Sequence, residues 1–164
     1  MIQEHHIFEF NKTADVTLWK TVNDVVMGGN SSGHFSLNKD GHGIYEGNVS
    51  LENNGGFASV RYRFDALDTK GFSKIKLKVR GDGKRYQFRI KDKATNKHAY
   101  IAYFNTSTDW QLIELDLKNM YPTFKGRKLD IPNFDAHKIE EVAFLIANKT
   151  AEHFKLEIAS IVMK

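Results

Sequence analysis

Along most of this chain apolar and polar residues alternate one by one, the period of a half-buried strand. Ile7-Phe8-Glu9-Phe10 opens the series. Phe35 and Leu37 lead into Lys39-Asp40-Gly41, a strand entering a tight turn. Tyr45, Gly47, Val49 and Leu51 alternate with Glu46, Asn48 and Ser50. Asn53-Asn54-Gly55-Gly56 then predicts a hairpin turn, because Asn-Gly accepts the positive φ that two-residue hairpins require. The return strand sets Ala58, Val60, Tyr62 and Phe64 on one face and Phe57, Ser59, Arg61 and Arg63 on the other.

A second hairpin is predicted around Gly81-Asp82-Gly83. Before it, Ile75, Leu77 and Val79 alternate with Lys74, Lys76, Lys78 and Arg80. After it, Tyr86, Phe88 and Ile90 alternate with Arg85, Gln87, Arg89 and Lys91. Two adjacent strands would thus share one apolar and one basic face. Further strands are expected at His98–Phe104, Trp110–Leu117 and Phe154–Val162. The nearly continuous apolar run Val142–Ala147 suits a central strand. Trp19–Ser32 shows no clean period and is expected to be an ordered irregular segment, and Lys118–His137, which holds both prolines, is expected to be a longer connection. No stretch has the pattern of a three-turn amphipathic helix. Eight to ten short strands with frequent turn signals indicate an all-β sandwich, jelly roll or barrel. Lacking a repeat or linker, residues 1–164 read as a single domain.

Composition agrees with strands. Phe occurs 12 times and Pro twice in 164 residues, so ladder N–H groups are preserved. The absence of cysteine excludes disulfides, thiolate chemistry and Cys-type zinc sites. No run reaches the roughly 20 apolar residues of a membrane-spanning helix, so no membrane insertion is expected. The start, Met1-Ile2-Gln3-Glu4-His5-His6, lacks a basic segment followed by an apolar one, and a cytoplasmic location is expected.

Charge changes the picture more. The net charge is +4, but Arg61–Lys97 alone holds 13 Lys and Arg against 4 Asp, a local +9. The remainder is acidic, with 11 basic against 16 acidic residues. A strand face carrying this charge is either a solvated face whose lysines discourage edge pairing or a surface for an acidic protein or a glycan. Nucleic-acid sheet readers pair such charge with exposed aromatics. Here Tyr86 and Phe88 are in phase with the core, so nucleic acid is not expected.

Candidate chemistry is thin. The seven histidines, His5, His6, His34, His42, His98, His137 and His153, lack ligand spacing, so no transition-metal site is expected. There is no nucleophile elbow and no Walker loop, and Glu140-Glu141 enters a strand, where neighbours diverge. No catalytic residue is assigned and no enzyme is expected. Trp19…Asn23-Asp24…Met27-Gly28-Gly29-Asn30-Ser31 is either a covering loop held by Asn and Asp side chains or a ligand rim. Asn23, Asp24 and nearby carbonyls could hold a structural Ca²⁺, although six or more oxygens are wanted. No other cofactor is implied.

These motifs also carry a resemblance. Trp19…Asn23-Asp24…Met27-Gly28-Gly29…Ser31, Gly47-Asn48-Val49-Ser50-Leu51 and Asn54-Gly55-Gly56-Phe57-Ala58-Ser59-Val60-Arg61 follow one another in order. Gly81-Asp82-Gly83 with Tyr86, Trp110, Phe124-Lys125-Gly126-Arg127 and Phe154-Lys155-Leu156-Glu157-Ile158 continue the series. Together they resemble small bacterial members of the complex I intermediate-associated protein 30 family. The resemblance implies a galactose-binding-like jelly-roll β-sandwich. It implies a chaperone-like, non-catalytic binder, since the family's mitochondrial members are assembly factors for respiratory complex I. One departure is Glu152-His153, where the family often has Gly-Pro before the last strand's Phe. A protein partner is therefore expected, with Trp19, Asn23, Asp24, Arg61, Arg80 and Arg89 as candidate binding residues. The alternative is a carbohydrate-binding module that takes a glycan on its concave sheet.

Overall fold

Alternation becomes strand wherever one face has a core to meet. The computed structural model describes residues 3–23, 30–52 and 56–164, with only the main chain of Asn23. Among these residues there are thirteen strands. The first seven are β1 (His5–Glu9), β2 (Trp19–Asn23), β3 (Ser32–Leu37), β4 (Gly43–Val49), β5 (Ala58–Asp68), β6 (Lys74–Arg80) and β7 (Arg85–Lys91). The others are β8 (Ala99–Asn105), β9 (Gln111–Asp116), β10 (Tyr121–Phe124), β11 (Arg127–Lys128), β12 (Lys138–Ile146) and β13 (Glu152–Met163). The described residues contain no α-helix, only 3₁₀ turns such as Val16–Leu18 and Leu117–Asn119. None of their helices is long and apolar enough to cross a membrane.

The strands form two antiparallel sheets, as a jelly-roll sandwich requires. One has the order β3-β4-β13-β6-β9, with β1 also paired to β13. The other has the order β11-β10-β8-β7-β12-β5-β2. The inward faces supply the core: Ile75, Leu77, Val79, Leu156, Ile158 and Ile161 from the first sheet, and Val60, Phe88, Ile90, Val142, Phe144 and Ile146 from the second. All twelve are fully buried. The apolar run Val142–Ala147 lies in β12, between β7 and β5, and is central as expected.

Neither predicted hairpin pairs its own strands. β4 pairs β3 and β13, whereas β5 pairs β12 and β2. The turn residues Asn53–Gly55 lie outside the described residues. β6 pairs β13 and β9, whereas β7 pairs β12 and β8. The turn Gly81-Asp82-Gly83 therefore carries the chain from one sheet to the other. Asp82 fixes this crossover by accepting from Lys84 N at 3.2 Å, Tyr86 Oη at 3.0 Å and Lys155 N at 2.8 Å. Gly81 is needed there because a Cβ would stand 2.3 Å from the Thr106 side chain. The basic positions of β6 and β7 consequently face opposite sides of the molecule. A two-residue period says which residues face inward but not which sheet they join.

The segment expected to be irregular and the expected long connection both contain strands. β2 begins at Trp19 and pairs β5 from Trp19↔Tyr62 to Asn23↔Ala58. Within Lys118–His137, β10 and β11 form a hairpin whose turn residues Lys125 and Gly126 have φ of 52° and 76°. Positive φ at both positions is the hairpin-compatible conformation, here reached with Lys-Gly in place of Asn-Gly.

Candidate functional site

The six candidate residues separate into three places. Trp19 is 4% exposed and lies in the core. Its ring stacks on Phe35 at 5.3 Å and Tyr62 at 5.4 Å, and Phe8 meets it edge-on at 5.5 Å. It has no face for a ligand, because the start of β2 turns it inward between the sheets. Asn23 ends β2; its side chain and Asp24 fall outside the described residues, and so does the suggested Ca²⁺ position. Arg80 belongs to the six-stranded sheet, whereas Arg61 and Arg89 share the outer face of the seven-stranded one. The expected single basic face is thus divided.

On the six-stranded sheet four cations are matched. Lys74 pairs with Glu114 at 3.3 Å, Lys76 with Glu4 at 3.0 Å and Lys164 with Glu114 at 3.3 Å. Arg80 meets Glu157 at 2.7 Å and lies over the Trp110 ring, 5.0 Å from its centre. Glu157 also accepts from Asn38 Nδ2 at 3.1 Å and lies 3.0 Å from His42 Nδ1. Burial pushes the Glu157 carboxyl up, but the bonds from Arg80 and His42 outweigh it and hold it below the ordinary carboxylate range. This network ties the turn between β3 and β4 to β6 and β13.

The seven-stranded sheet is different. Register places Lys20, Arg61, Ala143, Arg89, Ile101 and Tyr121 in one row across six strands. The adjacent row holds Arg63, Glu141 and Lys91. Four cations, Arg61, Arg63, Arg89 and Lys91, thus surround one carboxylate. Glu141 is 4% exposed and accepts from Arg63 Nε at 2.7 Å. Arg63 Nη2 and Lys91 Nζ also donate to the Ala94 and Asn96 carbonyls at 3.4 and 2.7 Å, drawing both toward the segment 92–97. Arg61 makes no ion pair among the described residues. Arg89 donates from Nη1 to Gln87 Oε1 at 2.8 Å, and Gln87 Nε2 donates to Tyr103 Oη at 3.2 Å. Gln87 is buried although its strand turns it outward, so the surface is recessed there.

Burial lowers the Arg89 guanidinium below its ordinary range, while Glu141 and Tyr103 act against that shift. Burial likewise lowers Lys91; Glu141 opposes this, and Arg63, Arg89 and Arg61 add to it. The cluster holds more positive charge than its surroundings compensate.

Sequence reasoning found Arg61 and Arg89 through charge and alternation. It missed Glu141, Gln87 and Tyr103. Glu141 had a signal, a charged residue in the otherwise apolar β12. Gln87 and Tyr103 had none, because their meeting depends on β7 pairing with β8. Glu140 is separate from Glu141, as expected: it takes Lys138 Nζ at 2.9 Å and the Ala94 N–H at 3.0 Å.

A cleft of about 480 Å³ lies at one end of the sandwich, between Thr69–Lys74, Asp116–Lys118 and Phe134–His137. Its Asp116 accepts from Asn119 Nδ2 at 3.2 Å and lies 3.9 Å from Lys74 Nζ. The described residues bring no three His, Cys, Asp or Glu side chains together as a metal site.

Solved structures share this architecture. The family 11 carbohydrate-binding module of the cellulosomal cellulase Lic26A-Cel5E of Clostridium thermocellum superposes with a TM-score of 0.75 at 15% identity, covering 99% of this chain and 95% of the module. A family 11 module from the same organism, in complex with a β-1,3-1,4-mixed-linked tetrasaccharide, gives 0.73 at 16% identity over 98% and 94%. A family 29 module gives 0.59 at 11% identity over 99% and 92%. At these identities the likeness establishes the galactose-binding-like jelly roll. By sequence, the chain is 21% identical over 181 aligned positions to the mitochondrial complex I intermediate-associated protein 30 of Mus musculus. The alignment covers 96% of this chain and 55% of the mouse protein, so the chain spans about half of that relative's length. The family model for complex I intermediate-associated protein 30 matches residues 8–158, and the chain belongs to that family.

Proposed function

We propose that this chain is a non-catalytic binding domain that engages a protein partner through the outer face of the seven-stranded sheet. One observation carries the reading: Arg61 and Arg89 make no ion pair among the described residues, whereas Lys74, Lys76 and Arg80 on the opposite sheet are each paired. Family membership supports an assembly-factor-like role, by analogy with the mouse relative's name.

The test is cross-linked capture from the native host with three forms of the full chain. Wild type and Lys78→Glu, on the other sheet, should recover the same partner. The double variant Arg61→Glu/Arg89→Glu should lose it. Equal recovery by all three would remove this face from the account.

A second reading places a glycan on the same face. Tyr103, 39% exposed, and the half-buried Tyr121 favour it, as aromatics on which a sugar could stack. Their rings are occupied, however. The Arg85 guanidinium lies 4.1 Å from the Tyr103 ring centre, and Lys128 Nζ lies 5.4 Å from that of Tyr121.

A further inference from the structure

We propose that Arg61 and Arg89 form a two-pronged carboxylate clamp over Ala143, and that its ligand is an acidic peptide segment in extended conformation. The inference rests on the binding face proposed above and names what that face selects.

Geometry comes first. Arg61 and Arg89 pair with Ala143 from its two flanking strands. Strand spacing sets their Cα atoms about 10 Å apart, with a single methyl between them. Two long side chains thus flank one small residue. An extended peptide presents side chains i and i+2 on one side, about 7 Å apart, a span two arginines can grip.

Donor supply comes second. A guanidinium carries five N–H donors in a planar fork suited to carboxylates. Arg89 uses one on Gln87, which Tyr103 holds in turn, so its plane is set before any ligand arrives. Arg61 uses none among the described residues. Arg63 and Lys91 are committed to Glu141 and the 92–97 segment, which leaves the other two to bind.

Charge and ring access then select the ligand. An incoming carboxylate would compensate a cation cluster whose own burial disfavours its charge. A neutral glycan supplies no such compensation, and its pyranose rings want open aromatic faces. Arg85 and Lys128 cover Tyr103 and Tyr121 instead, and with Lys20 they extend the cationic row beyond the clamp.

The test titrates the full chain with a fluorescein-labelled decapeptide of alternating Glu and Ser. The comparison probes are the Gln-for-Glu peptide, an oligogalacturonate of equal charge and a neutral mixed-linked glucan tetrasaccharide. The acidic peptide is expected to bind best, at least tenfold tighter than its Gln counterpart, and to weaken as salt rises. Arg61→Gln and Arg89→Gln should each cost about tenfold, the worth of one charge-assisted pair. Arg89→Lys should lose part of that, and Lys78→Gln nothing. Because a substitution could harm the fold, the reversed variant Arg61→Glu/Arg89→Glu should acquire binding of a Lys-Ser decapeptide. Tighter binding of the oligogalacturonate, or binding of the neutral glucan alone, overturns the acidic-peptide assignment in favour of a glycan. If no probe binds, the clamp is wrong. The capture experiment then separates the two claims: partner loss in the reversed variant keeps the face, and unchanged capture removes both.

Discussion

Arg80 and Arg89, close in sequence and alike in pattern, lie on opposite outer faces of the sandwich. Asp82, between them, holds the crossover that separates them. Arg80 directs its guanidinium to Glu157 and the Trp110 ring, and Arg89 directs its own to the Gln87 side chain. The same residue type is therefore ion-paired on one sheet and bonded to a neutral amide on the other.

Removing the acceptor on the structural side tests this division. Glu157→Gln should destabilise the fold by about 1–2 kcal/mol near neutral pH, read by chemical denaturation, without altering ligand affinity. The Glu157 carboxyl is held below its ordinary value of 4.5, so its stabilisation is complete above that pH. It is lost as pH falls through the depressed folded value. The gap between wild type and variant should therefore close below about pH 4.5.

The crossover itself gives a second outcome. Asp82→Ala strands the hydroxyl of Tyr86, which is 1% exposed, and frees the Lys84 and Lys155 N–H groups. A cost of roughly 1–3 kcal/mol is expected from the buried hydroxyl alone. Amide hydrogen exchange should rise at Lys84 and Lys155 before it rises in β12.

Trp19 separates a core role from a ligand role. Trp19→Ala should cost about 3–5 kcal/mol by opening the cluster of Phe8, Phe10, Phe35 and Tyr62. At a temperature where the variant is folded, its affinity for ligand should equal that of wild type. Reduced affinity with unchanged stability would place Trp19 in the site after all.

Gly47 is tested by adding a single methyl. A Cβ there would lie 2.0 Å from the Ser32 carbonyl oxygen and 2.8 Å from Gly33 Cα, its partner across the strands. Backbone cannot swing aside as a side chain can. Gly47→Ala should cost about 1–3 kcal/mol in a thermal melt and loosen β3 from β4.

Most strand positions, and the inward face of the strands that alternate, were legible in the sequence, since both follow from the local pattern; β2, β10 and β11 were not. Ile75, Leu77 and Val79 are buried as their period requires, and so are Tyr86, Phe88 and Ile90. Pairing was not legible. Gly81-Asp82-Gly83 has the composition of a hairpin turn, and only the bond from Lys155 N, distant in sequence, reveals a crossover. The β10–β11 hairpin escaped notice because Lys125-Gly126 takes a conformation that sequence associates with Asn-Gly. For the site, alternation supplied Arg61 and Arg89 but could not exclude Arg80, because excluding it needs the sheet order. Glu141, Gln87 and Tyr103 become neighbours of the arginines only through β12 and β8.

The most direct test of the binding face is a nuclear magnetic resonance titration of the ¹⁵N-labelled full chain with the Glu-Ser peptide, observing backbone amides and arginine Nε–H groups. The account predicts shifts at Arg61, Arg89, Ala143, Gln87 and Tyr103, with Lys78, Arg80 and Leu112 unmoved. Shifts confined to the six-stranded sheet, or to the cleft between Phe72 and Phe134, would contradict it.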